Sequence, residues 1–126
     1  MARFFARSRR VSIHYIIARG GQLVQMVPED EIAIHTRGRN RHSVGIELIN
    51  RGDGIQPFPE KQIARLAKLI AAIRARHAIP LDAVVGHDDV DRSTFRCAGE
   101  RVRRKQDPGP LFPWKALRLE VLMAGM

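Results

Sequence analysis

The chain is poor in the residues that mark several classes of protein. Its one cysteine, Cys97, cannot form an internal disulfide and does not fit the spacing of a cysteine metal site. One tryptophan, one tyrosine and five phenylalanines offer few rings on which nucleic-acid bases could stack. No apolar run approaches the length of a membrane span. A disulfide-stabilised domain, a base-stacking protein and a membrane-spanning protein are therefore poor interpretations.

Acidic residues are also scarce. The chain has 22 lysines and arginines against 13 aspartates and glutamates, which gives a formal net charge of +9. This balance favours anionic partners such as nucleic acid, a membrane surface or the bacterial cell wall, although a solvated basic surface without a partner explains it as well. Because no nucleic-acid-binding motif is found, we expect no specific nucleic-acid partner. The basic residues 1–10 lack the apolar stretch of a signal peptide, so we expect a cytoplasmic protein.

A length of 126 residues predicts a single domain, 1–126. VSIHYIIA at 11–18 and QLVQMVP at 22–28 are rich in β-branched residues and flank a Gly-Gly turn, which predicts a β-hairpin. Residues 29–42 are polar and predict mostly loop. SVGIELIN at 43–50 predicts a third strand, and its apolar residues on both faces favour a central position in the sheet.

The second half of the chain predicts two helices around a short strand. Apolar residues at helical spacing predict a helix that begins at Pro59 and ends near 77–79, before Pro80. The other segments are a loop at 51–59, a strand AVVGH at 83–87, a charged irregular segment at 88–105 and a helix from Pro113 to Met123. This order of elements predicts an α/β domain with a central mixed β-sheet flanked by helices.

Glu47 is the first residue that suggests chemistry. It interrupts VGIELI, an otherwise apolar strand, where a carboxylate is costly unless it is paired or functional. A salt bridge to one of the many arginines would explain it. The alternative is a general base with a raised pKa, able to activate a water molecule.

His87 and Asp107 form a second candidate site. His87 lies at the end of a predicted strand, where sites are often built. Asp88 and Asp89 after it suit a turn or a helix cap. Asp107 lies in a Pro-Gly-Pro loop, and histidine and aspartate are both good zinc ligands. Lys105 would bring a cation near such a metal, where it could stabilise an oxyanion. A structural histidine and a plain surface loop are the simpler alternatives.

Six motifs occur in one order along the chain, namely VSIHYII, QLVQMVPED, AIHTRG, SVGIELIN, VVGHDDV and RKQDPGPLFPW. This ordered set, over roughly residues 11–117, resembles the zinc-dependent N-acetylmuramoyl-L-alanine amidases of the type 2 family. Peptidoglycan recognition proteins and amidase-type phage lysozymes share their fold. The resemblance implies an amidase fold, a Zn²⁺ cofactor and a peptidoglycan or muropeptide substrate. The bond cleaved would be the amide between N-acetylmuramic acid and the L-alanine of the stem peptide.

The resemblance also implies roles for individual residues. His87 and Asp107 would bind the zinc ion. Glu47 would be the base that activates the attacking water, and Lys105 would steady the oxyanion of the tetrahedral intermediate. Two further residues match positions near the substrate groove of the family, His35 and Asn40.

One departure from the family pattern concerns the first zinc ligand. Members normally begin with an additional strand that supplies a zinc histidine in a motif resembling V-I-H-H-T, and this chain has only ten residues before Val11. Two protein ligands are fewer than the three usual in a catalytic zinc site.

Three explanations are open. The chain could be a fragment or have a start codon assigned too late. His14 or His35 could be a substitute ligand, or zinc and catalysis could be lost, leaving a module that binds peptidoglycan fragments. A missing strand would also leave an exposed sheet edge, which allows a strand-paired dimer.

Overall fold

The computed structural model of the chain describes residues 12–34, 43–90, 94–97, 100–103 and 107–126. Its elements are, in chain order, β1 (Tyr15–Ile17), β2 (Leu23–Gln25), β3 (Ile46–Leu48), α1 (Glu60–His77), a 3-10 turn (Leu81–Ala83), α2 (His87–Val90), β4 (Thr94–Cys97), β5 (Glu100–Arg103) and α3 (Trp114–Ala124). A mixed sheet of three strands packs against helices, so the predicted α/β class is confirmed. Within the described part of the chain, no helix is both long and apolar enough to cross a bilayer.

The predicted hairpin is formed by β1 and β2. The two strands are antiparallel, and Tyr15 pairs with Gln25 at one end of the ladder. The tight turn requires glycine at position 21, where the backbone has φ of 92° and an added Cβ would lie 3.0 Å from the carbonyl oxygen of Lys61. The turn therefore also sets how closely α1 approaches the hairpin.

The third strand is present, but among the described strands it lies at the edge of the sheet and not at its predicted centre. The strand order is β2-β1-β3, so β1 is the middle strand of the described sheet, and β3 runs parallel to it. Ile46 and Leu48 pack against the core, and Glu47 between them projects to the opposite face because side chains alternate along a strand. Apolar and polar side chains therefore alternate along β3, as in a strand with only one face against the core.

The two long helices occur where the sequence predicts them. The apolar stripe of α1 is buried against the sheet, and Leu117 and Val121 of α3 complete the same core. Gln62 is a fully buried polar residue in the first turn of α1. Its Nε2 donates to the carbonyl oxygens of Ile17 (3.0 Å) and Ile49 (3.1 Å), which fixes the helix to the ends of β1 and β3.

The predicted strand at 83–87 is wrong. Residues 81–83 form a 3-10 turn, in which the N–H groups of Ala83 and Val84 donate to Pro80 and Leu81 at 3.1 Å each. Val84 is extended, with φ of −88° and ψ of 106°, but it joins no ladder within the described residues. Pro80 thus precedes a turn that uses the N–H groups of Ala83 and Val84, which a strand would need for pairing.

The prediction of an irregular segment at 88–105 is also wrong for the residues of this range that the structure describes. β4 and β5 form an antiparallel hairpin in which Phe95 and Val102 are register partners. The many charged residues of this segment made it difficult to recognise the alternation of apolar and polar residues on either side of Ala98 and Gly99. Main-chain pairing satisfies the backbone of such a ribbon whatever charges its side chains carry.

Candidate metal centre

His87 and Asp107 lie together in the structure, although 20 positions separate them in the sequence. Nδ1 of His87 is 3.7 Å from Oδ2 of Asp107. Two zinc ligands at about 2.1 Å in a tetrahedral arrangement lie roughly 3.4 Å apart, so this pair suits a shared metal ion. The His87 side chain is 21% exposed and that of Asp107 is 56% exposed, so the pair is open to a substrate from solvent.

The backbone around His87 is held by Asp89. His87 is the first residue of α2, and the carboxylate of Asp89 accepts a hydrogen bond of 2.8 Å from the N–H of Gly86. The N–H of Asp89 in turn donates to the carbonyl oxygen of Gly86 at 3.1 Å. The bond from the N–H of Gly86 to the Asp89 side chain is one of the two hydrogen bonds of a capping box. Both bonds join Gly86 to Asp89 and so restrain the backbone of His87, which lies between them. Of the turn or capping roles expected for Asp88 and Asp89, Asp89 thus has a capping one.

The loop that carries Asp107 is anchored to the core at its far end. Phe112 is buried, and its ring meets the rings of Phe58 and Trp114 edge-on, at centroid distances of 5.2 and 4.7 Å. The N–H of Phe112 donates to the carbonyl oxygen of Gly109 (3.3 Å), which has φ of 88°. The aromatic cluster therefore restrains the loop a few residues after the carboxylate.

Glu47 occupies the middle of β3 and is the register partner of Ile16 in β1. Ile16 is only 2% exposed, while Glu47 is half-buried. The carboxylate is thus carried on a strand whose position is set by hydrogen bonds to the most buried strand of the sheet. A rigid strand is a better support for a reacting group than a loop.

His14, the suggested substitute ligand, is engaged elsewhere. It is fully buried; its Nδ1 accepts a hydrogen bond of 3.0 Å from the N–H of Gly45, and its Nε2 lies 2.8 Å from the carbonyl oxygen of Glu31. Neither ring nitrogen can bind a metal ion without giving up one of these bonds. The hydrogen bonds of His14 therefore do not support its role as a substitute zinc ligand.

A further group of titratable residues, which sequence reasoning missed, surrounds Glu29. The carboxylate accepts hydrogen bonds from Nε (3.0 Å) and Nη2 of Arg76 and from the hydroxyl of Tyr15, and it lies 2.8 Å from Nε2 of His77. The hydrogen bonds from Arg76, assisted by those from Tyr15 and His77, lower the pKa of Glu29 to about 2 against the opposing effect of burial. Burial and the bond to Glu29 raise the pKa of Tyr15. These bonds fasten the segment after β2 to the end of α1.

The sequence profile of the family described as N-acetylmuramoyl-L-alanine amidase, Amidase_2, matches residues 2–110. The chain belongs to this amidase family. It is 37% identical to the N-acetylmuramoyl-L-alanine amidase AmiD of Escherichia coli (strain K12), over 86% of this chain and 44% of AmiD. It is 32% identical to the 1,6-anhydro-N-acetylmuramyl-L-alanine amidase AmpD of Salmonella typhimurium (strain LT2), over 91% of this chain and 59% of AmpD. The chain thus spans about half the length of these relatives.

The amidase fold is also shared with a solved structure. The complex of E. coli AmiD with the substrate anhydro-N-acetylmuramic acid-L-Ala-D-γ-Glu-L-Lys superposes on this chain with a TM-score of 0.75 and 34% identity. The match covers 90% of this chain and 49% of AmiD. The family and fold that the ordered motifs predicted are therefore confirmed.

Three of the predicted site residues, His35, Asn40 and Lys105, lie outside the described residues, and their roles stay predictions. Over the ranges that the structure describes, no three histidine, cysteine, aspartate or glutamate side chains form a group that could hold a metal ion. His87 and Asp107 would thus supply two ligands, whereas a catalytic zinc site usually has three from the protein.

Proposed function

We propose that this amidase domain hydrolyses the amide bond between N-acetylmuramic acid and L-alanine of a peptidoglycan stem peptide, with zinc as its cofactor. The observation that carries the proposal is the 3.7 Å approach of His87 to Asp107 in a chain that belongs to the amidase family. The related AmiD has been captured with an anhydro-muropeptide. A soluble muropeptide of that kind is therefore the substrate with which to begin.

His87 and Asp107 supply the nitrogen and oxygen donors that zinc accepts, and a third ligand would complete the site. When bound, zinc would polarise the amide carbonyl and lower the pKa of a water molecule. Glu47 would take a proton from the attacking water and return it to the leaving nitrogen of L-alanine. Lys105 would stabilise the negative charge that develops on the carbonyl oxygen.

The alternative is a module that binds peptidoglycan fragments without cleaving them. It is favoured by the presence of only two clustered ligands within the described residues. A binding module has no use for a proton acceptor at position 47, whereas an amidase depends on it. The two functions are therefore separated by substitutions at Glu47.

We expect Glu47→Gln to lower kcat by about 100-fold or more, because general-base catalysis contributes typically 10²–10⁴-fold. Zinc content and the dissociation constant of the muropeptide should stay close to those of the unsubstituted chain. The measurement is release of the free stem peptide from an anhydro-muropeptide, followed by chromatography. Glu120→Gln, the same change at an exposed position of α3, is the matched control.

Two outcomes would count against hydrolysis by this site. Binding without any released peptide in the zinc-loaded, unsubstituted chain would favour the binding module. Equal kcat values in Glu47→Gln and Glu120→Gln would show that Glu47 is not the general base.

A further inference from the structure

His14 is a buried polar side chain that the proposed reaction does not use. Its exposure is 0%, and within the described residues the other buried polar side chain is Gln62, which joins α1 to the sheet. Burial of an imidazole is costly unless its nitrogens are hydrogen-bonded. The partners of His14 therefore indicate why a histidine stands here.

Three hydrogen bonds connect His14 and its neighbour Tyr15 to one residue, Gly45. The backbone N–H groups of His14 and Tyr15 donate to the carbonyl oxygen of Gly45, at 3.1 and 3.2 Å. The N–H of Gly45 donates to Nδ1 of His14, at 3.0 Å. Nδ1 of the imidazole thus accepts the hydrogen bond that a main-chain carbonyl oxygen would accept in a regular strand ladder. Both the N–H and the carbonyl group of Gly45 are therefore hydrogen-bonded to residues 14 and 15. Glu47 follows only two residues later.

The hydrogen bond to Nδ1 fixes which nitrogen of the His14 ring carries the proton. Because Nδ1 accepts a hydrogen bond from an amide, the proton of the neutral ring is on Nε2. Nε2 then donates to the carbonyl oxygen of Glu31 at 2.8 Å, in the segment that follows β2. The ring therefore connects β1, the start of β3 and the segment after β2 in one buried joint.

We infer that His14 is a positioning residue for the amidase reaction: through Gly45 it sets the register and depth of the strand that carries Glu47, and it does not bind the metal ion. The assignment of Glu47 as the base rests on the proposed function. A register change of one residue would turn Glu47 to the other face of the sheet. Even a displacement of about 1 Å in a reacting group can cost roughly 100-fold in rate.

The first test measures the ring of His14 directly. In the full chain, ¹⁵N–¹H correlation spectra of the histidine rings should show an unprotonated Nδ1 and a protonated Nε2 at His14. Addition of zinc should shift the ring signals of His87 and leave those of His14 unchanged. Loss of the Nε2 proton of His14 on addition of zinc would show that it is a ligand and would overturn the inference.

The second test separates the two hydrogen bonds with a matched pair of substitutions. The amide oxygen of asparagine can take the place of Nδ1 and keep the bond to Gly45, whereas the amide nitrogen of glutamine can take the place of Nε2 and keep the bond to Glu31. With zinc content matched and folding checked by circular dichroism, we expect His14→Asn to keep kcat within about tenfold. His14→Gln should lose about 100-fold in kcat with little change in KM. Equal losses in the two variants would contradict positioning through Gly45.

Amide exchange makes the outcome independent of catalysis. Hydrogen exchange of the Gly45 and Glu47 amides should stay slow in His14→Asn and become faster in His14→Gln. If the unsubstituted chain hydrolyses no muropeptide, the proposed function fails, and the exchange rates then decide the role of His14. Unchanged exchange in His14→Gln would show that the ring does not hold this strand.

Discussion

Asp89 is a single carboxylate that restrains the backbone on both sides of His87. It receives the N–H of Gly86 at 2.8 Å and donates its own N–H to the carbonyl oxygen of the same residue at 3.1 Å. Groups that orient a metal ligand typically change metal affinity by 10–100-fold when they are removed. The bonds of Asp89 therefore connect the local fold of α2 to the proposed metal site.

Asp89→Ala should destabilise the metal-free chain by about 1 kcal/mol, the usual cost of a lost helix cap. It should also weaken zinc binding by about tenfold, because the backbone of His87 would be less restrained. Asp89→Asn keeps an acceptor for the N–H of Gly86 and should lie close to the unsubstituted chain in both quantities. Urea unfolding and competition with a zinc chelator measure the two effects. A loss in Asp89→Asn as large as in Asp89→Ala would contradict a role through this hydrogen bond.

Glu29 should make the stability of the chain depend on acid pH. Its pKa is lowered from 4.5 to about 2, first by the hydrogen bonds from Arg76. A group whose pKa is lower in the folded state stabilises the fold above its unfolded pKa, and this stabilisation is lost as pH falls through the folded value. The contribution of Glu29 should therefore be complete above about pH 4.5 and disappear towards pH 2.

The measurement is the unfolding free energy of Glu29→Gln and of the unsubstituted chain across this pH range. At neutral pH the variant should be less stable by roughly 2 kcal/mol, because the half-buried charged partner of Arg76 is lost. The difference should shrink as pH falls from about 4.5 to about 2. Glu120→Gln, at an exposed position, should show no such trend. A difference between the Glu29 variant and the unsubstituted chain that stays constant with pH would contradict the lowered pKa.

Single-residue roles could be predicted from the sequence to different degrees. The approach of His87 to Asp107 was predictable because the ordered motifs imply the fold that brings them together. The role of His14 was not, because the position of a histidine in a strand does not reveal which backbone groups its ring will meet. The partners of Glu29 were hidden for the same reason: Arg76 lies 47 residues away in the chain.

The helix α1 ends at a residue whose backbone favours glycine. Ala78 has φ of 53° and ψ of 43°, and its N–H donates to the carbonyl oxygen of Arg74. The left-handed conformation costs an L-residue roughly 1 kcal/mol, and glycine adopts it freely. The unfolded state of a glycine variant would be more flexible, which offsets part of the gain.

Ala78→Gly should therefore raise the unfolding free energy by about 0.5 kcal/mol, as measured by denaturant unfolding. Ala75→Gly is the matched control: it makes the same change at an exposed position inside α1 and should lower the unfolding free energy by about 1 kcal/mol. Destabilisation by both variants to the same extent would show that Ala78 is not held in the left-handed conformation in solution.

Among the elements, the helices were the most predictable. The helical periodicity of α1 and the flanking Pro59 and Pro80 placed both of its ends. Short strands were harder, because AVVGH has the composition of a strand but a preceding proline starts a 3-10 turn, while β4 and β5 are strands in a strongly charged segment. Pairing depends on which backbone lies alongside, and this information is not local.

On the scale of the whole molecule, the chain carries a net charge of +9 and spans about half the length of its curated relatives. Buried residues of β1, α1 and α3 form one core, and the prediction of a single domain remains to be tested by its folding as one cooperative unit. In the described sheet, β3 has a hydrogen-bonded neighbour on one side, so the strand-paired dimer also stays a prediction. The basic surface would suit an anionic wall polymer.

The central claim is that His87 and Asp107 hold a zinc ion, and elemental analysis of the purified chain tests it most directly. We expect about one tightly bound zinc per chain. Zinc should be lost in Asp107→Ala and retained in Asp30→Ala, the same change at an exposed position outside the site. His14→Asn should also retain it. A folded chain that binds no zinc, or an Asp107→Ala variant that keeps its zinc, would contradict the account.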